Sequence, residues 1–100
     1  MTDNPRSRTP GEMLRRTPVA AWGLTPPALP ETADNAIAIG AVLAEMIGAD
    51  GVSVEPAVEI AFPAAVIDPD GVVRIDSGTA RELGRLVQRA ATSAENGESR

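Results

Sequence analysis

Side chains that commonly act as bases or nucleophiles near neutral pH are missing: the chain has no His, Cys, Lys or Tyr. Carboxylates, hydroxyls and guanidinium groups are what remain for chemistry. A Ser nucleophile needs an activating base, and no imidazole or amine is there to serve. Asp68-Pro69-Asp70-Gly71 superficially resembles part of a calcium loop. Setting Gly71 at the invariant glycine of such a loop, however, puts Val66 and Ser77 at its first and last ligand positions, where carboxylates are needed. Pro after Asp, with a closing Gly, is instead type I turn chemistry. Ser77-Gly78-Thr79 could offer free N–H groups to an anion at a helix start, with Arg81 nearby. The stretch lacks a Gly-rich phosphate fingerprint and reads as ordinary capping. The expectation is a non-enzyme with no catalytic residues, no cofactor and no metal.

Recognition is the chemistry left. Trp22 is the single Trp, in Val19-Ala20-Ala21-Trp22-Gly23-Leu24, and Trp and Arg dominate binding hot spots. Arg15, Arg16, Trp22 and Leu24 are therefore the expected partner-binding residues of the N-terminal stretch. Folding back of Trp22 onto its own domain is the competing expectation, because Phe62 is the one other aromatic residue. Arg81, Arg85 and Arg89 recur every four residues, as the solvated face of a helix or a dock for an acidic partner.

These residues need elements to carry them. Residues 1–30 hold Pro5, Pro10, Pro18, Pro26, Pro27 and Pro30, and proline removes a backbone donor, so a flexible arm is expected there. Thr25–Pro30 reads as polyproline II. A first helix is expected from Ala33 to Gly48, with Ile39, Leu43, Met46 and Ile47 on one face. Ile37 and Val42 flank its narrow polar stripe, which suggests a second apolar contact to a partner or a second copy. Short strands are expected at Val52–Glu55, Ala57–Phe62, Ala64–Ile67 and Val72–Asp76, the last two as a hairpin with Ile67 opposite Val72. A second helix is expected from Thr79 to Ala94, opened by a Thr79–Glu82 capping box, with Leu83, Leu86, Val87, Ala90 and Ala94 facing inward. The fold class is then α+β, a helix, an antiparallel sheet and a helix at 31–95, with a disordered tail at 96–100.

Charge and size narrow the partners. The net charge is −5 over 100 residues. Residues 1–30 carry Arg6, Arg8, Arg15 and Arg16 against Asp3 and Glu12, a net +2, while the rest carries −7. An acidic domain repels phosphates, so nucleic acid is disfavoured as a partner. The longest apolar run, Ala36 to Ala44, is far short of the roughly 20 residues that span a bilayer. No membrane partner is expected, and the location is cytoplasmic, or the virion if a phage encodes the chain. All basic residues being Arg, with much Ala, suggests a GC-rich bacterial or phage genome. A domain this small buries about 60% of its unfolded surface and gains from association. The expected function is protein–protein interaction or assembly, as in a phage structural or accessory protein. The expected partner is a larger protein complex, with a homodimer as a further state.

The order of a helix, Gly51-Val52-Ser53-Val54-Glu55, a further strand, a Val-Val-Arg-Ile strand and Ala80-Arg81-Glu82-Leu83-Gly84-Arg85 resembles the small regulatory (effector) proteins of bacterial diiron monooxygenases. The likeness covers about half the chain. It implies a cofactor-free regulatory subunit of a multicomponent enzyme with a mobile N-terminal arm.

Overall fold

Ile37-Ala38-Ile39-Gly40-Ala41-Val42 mixes β-branched residues with small ones, and it opens a strand rather than continuing a helix. In the computed structural model, which describes residues 12–98, β1 spans Met13–Leu24, β2 spans Ile37–Gly48 and β3 spans Gly51–Ala61. The strands form one antiparallel sheet in the order β1-β2-β3, so β2 is central. Ile37, Ile39 and Ala41 are buried on one face, and Val42 and Ala44 on the other. A strand covered on both faces is apolar at nearly every position, which hides its two-residue period and imitates a helix. The expected helix from Ala33 to Gly48 is thereby corrected to a strand. What is helical there is one 3-10 turn, Ala33–Asn35.

Residues 13–24, expected within a flexible arm, are likewise an edge strand. Residues 1–11 of that expected arm lie outside the described residues. Pro18 is accommodated because β1 is an edge strand and its register shifts between Pro18 and Ala20, leaving Val19 as an extra residue. A second shift lies between Met13 and Arg15. Further along, the Leu29 N–H donates to the Pro26 carbonyl at 3.0 Å, so this stretch turns rather than running as polyproline II. The Asn35 side-chain amide donates to the Pro30 carbonyl at 3.0 Å and ties the loop to the start of β2.

The two strands expected at Val52–Glu55 and Ala57–Phe62 are one, β3, running through Pro56 on the other edge of the sheet. Ala49 and Asp50 form the tight connection from β2, and Gly51 closes it with φ +119°. The expected second hairpin is reduced to a 3-10 turn, Ala64–Val66, and a single bridge between Ile67 and Val73, one residue off the anticipated register. Its turn does form at Asp68–Gly71: the Gly71 N–H donates to the Asp68 carbonyl, and the Asp68 N–H to the Val72 carbonyl, both at 2.8 Å.

The helix α1 spans Ser77–Glu98, longer than expected at both ends. Residues 96–98, expected in the disordered tail, are its last residues, and 99–100 lie outside the described residues. Leu86, Ala90 and Ala94 pack on Ile37, Ile39 and Ala41, with Trp22, Leu24, Val58, Phe62, Ile75 and Leu83 around them. Ala90 and Ala94 are almost fully buried, and their small side chains let the helix axis approach the sheet closely. The architecture is α+β, with one helix on one face of one antiparallel sheet. The resemblance to monooxygenase regulatory proteins began with a helix where β2 stands, and this topology removes its first element.

Candidate protein-binding surfaces

α1 covers one half of its sheet face. Beyond Ala41 the inward stripe of β2 continues as Leu43, Glu45 and Ile47. These pair with Thr17 and Arg15 on β1, and with Pro56, Val54 and Val52 on β3. Directly paired residues share a face, so this group is one platform continuous with the core. None of its members belongs to the cluster under the helix. Val52 is 59% exposed and Val54 48%, against 0% for Ile37 and Ala41 on the same face. Within the platform Arg15 Nη2 meets Glu45 Oε2 at 2.5 Å, which leaves the patch without net charge from that pair.

The other face is built from small residues. Arg16 Nε donates to both carboxylate oxygens of Glu59, at 2.9 and 2.8 Å. A shallow groove beside this pair is lined by Ala21, Ala38, Gly40 and Ala61.

The expected partner-binding residues therefore separate. Arg15 and Arg16 are on β1 but point to opposite faces, and each is held by a carboxylate. Trp22 and Leu24 are half-buried against the core, as the folding-back alternative required. Ile37 and Val42, expected to offer an apolar contact, are 0% and 1% exposed and lie inside the chain's own interior. Neither side chain is accessible to a partner in this structure. Val52 and Val54 were not among the expected residues. Val52-Ser53-Val54-Glu55-Pro56 alternates like a half-buried strand, but the sequence does not show which half of the sheet is left bare, because Ala33–Gly48 reads there as a second helix.

Trp22 also lines an open cleft of about 550 Å³ between β1 and α1, together with Arg85, Gln88, Arg89, Thr92, Ser93 and Asn96. Arg85 is engaged by Glu82, Nη2 to Oε1 at 2.6 Å. Glu82 therefore serves this pair and not the expected capping box.

The start of α1 is capped by Asp76. The Thr79 hydroxyl donates to Asp76 Oδ1 at 2.6 Å, and the Thr79 N–H to Oδ2 at 3.0 Å. These bonds, the hydroxyl first, hold the Asp76 carboxyl below its ordinary range. The Thr79 N–H, one of the groups considered for an anion, is thus already used by a carboxylate of the chain itself. Asp68, in the turn that superficially resembles a calcium loop, pairs with Arg74.

Comparison with protein-family models, curated proteins and solved structures finds no match to this chain. Among the described residues no helix is long and apolar enough to cross a membrane.

Proposed function

We propose that this chain is a non-catalytic protein–protein interaction module that docks on a larger protein through the uncovered half of its sheet. The observation that carries the reading is the exposure of Val52 and Val54 on a face whose other half is sealed by α1. Leaving large β-branched side chains in water forfeits burial worth about 1.5–3 kcal/mol each. An apolar strand face continuous with a core, with its charges internally paired, is the composition of an interface centre. Leu43, Ile47 and Pro56 supply the rest of the contact, and the Arg15–Glu45 pair fixes orientation at its middle.

The test is a double substitution, Val52→Glu with Val54→Glu, in the full chain. Affinity capture from the native host is expected to retain a discrete partner with the unaltered protein and to lose it with the variant. Both side chains are exposed, so stability should change by about 1 kcal/mol or less. Equal capture by both proteins would sink the reading.

A further inference from the structure

The cleft between β1 and α1 has a different chemistry from the sheet platform. We infer that it is a second docking site, and that its occupant is an extended acidic segment of a partner protein, gripped by Arg85 and Arg89 with an apolar side chain against Trp22. This inference does not rest on the role given to Val52 and Val54.

Charge selects the occupant. The chain carries a net charge of −5, yet among the described residues the cleft is lined by two guanidinium groups and no carboxylate. Arg85 shares its charge with Glu82. Arg89 makes no ion pair among the described residues, and the side chain of Arg81 stands two turns earlier on the same stripe. A basic cleft on an acidic protein attracts an anionic segment and repels the chain's own acidic surface.

Spacing selects the form of the segment. Arg85 and Arg89 are separated by about 6 Å along the helix axis. In an extended peptide, side chains two residues apart lie on one side at about 6.6 Å. Two acidic residues flanking one other residue therefore match the two arginines. From Arg85 to Asn96 the helix rises about 16 Å, room for some five extended residues. Gln88 and Asn96 offer amides to a peptide backbone along that length. Trp22 is held by its pairing with Ile39 and by the core behind it, so its ring is a pre-positioned apolar wall. A bidentate contact from Arg89 to one carboxylate, with the remaining Arg85 donors on the other, then gives the orientation.

Trp22 is also its own reporter, because the chain has no second Trp and no Tyr. The experiment titrates the full chain with a blocked Leu-Glu-Val-Glu-Leu peptide and follows Trp22 emission. A saturable change is expected, weakened as ionic strength rises. Arg89→Glu, at an exposed helix position, should raise the dissociation constant at least tenfold while circular dichroism shows unchanged helix content. A twin peptide with Gln in place of both Glu should bind at least tenfold more weakly than the acidic one. A flat titration up to about 1 mM peptide overturns the inference, as does an equal response to the Gln peptide or an unaltered affinity in Arg89→Glu.

Discussion

Arg16 of β1 grips Glu59 of β3 across the full width of β2, with Nε placed 2.9 and 2.8 Å from the two carboxylate oxygens. Arg16 pairs in register with Ala44, and Glu59 with Gly40, so the bridge crosses β2 diagonally above Val42. Val42 is only 1% exposed although α1 covers the opposite face. The Arg16 side chain passes over it on the way to Glu59, and the in-register neighbours of Val42 are Pro18 and Ala57. The ion pair itself is about half exposed and contributes little on its own. The apolar stem is the larger part. Arg16→Ala should lower stability by about 1–2 kcal/mol, while Arg16→Met should recover most of that loss. Urea titration of the three proteins decides it. Equal losses in Ala and Met would mean that the charge, and not the stem, is what matters.

Two glycines should respond to alanine with opposite signs. Gly84 lies in mid-helix, exposed, with nothing within 4 Å of an added Cβ. Gly84→Ala should raise stability by about 0.5–1 kcal/mol, through helix propensity and a smaller unfolded ensemble. Gly51 also has open space around it, but its φ of +119° is one that L side chains rarely adopt. Gly51→Ala should cost about 1 kcal/mol or more, since it strains the β2–β3 connection. Chemical denaturation of each variant gives the two signs directly.

The helix–sheet seam should be intolerant of added volume. Ala90 is 0% exposed and faces the buried run Ile37, Ile39 and Ala41. Ala90→Leu would push α1 away from the sheet and cost about 1–3 kcal/mol. Ala91, half-buried one residue on, is the control: Ala91→Leu should cost clearly less. Thermal melting of both variants measures the difference. Equal shifts would mean that α1 sits loosely on the sheet.

The sequence was legible where one face decides the outcome. α1 shows its period openly because its outer face carries Arg81, Arg85, Gln88 and Arg89, and the expected inner residues Leu86, Ala90 and Ala94 are the buried ones. β2 was illegible by the same logic. With Val42 and Ala44 buried as well as Ile37 and Ile39, no polar stripe marks a period. β1 was obscured by Pro18, because proline rules out a central strand but not an edge with a register shift. What Trp22 touches was hidden for the same reason, since its place against the core depends on β1 being a strand paired with β2. The platform at Val52 and Val54 could not be seen at all before it was known which part of the sheet α1 leaves bare.

Asp76 gives stability an acid limb. Its carboxyl is held below the ordinary range by the Thr79 hydroxyl and then by the Thr79 N–H. A carboxyl with a depressed folded value binds protons more readily in the unfolded chain. Its contribution is therefore fully present above the unfolded value of about 3.9, and it is lost as pH falls through the lower folded value. Asn at this position still accepts from the backbone and remains a good N-cap, but it does not titrate. The stability difference between the unaltered chain and Asp76→Asn should thus stay constant between about pH 5 and 8, then shrink below about pH 4. Other carboxylates titrate in both proteins and cancel in the difference. Urea midpoints measured down to about pH 2 test this. A difference that persists undiminished at the acid end would show that the Asp76 cap acts by geometry alone, without its charge.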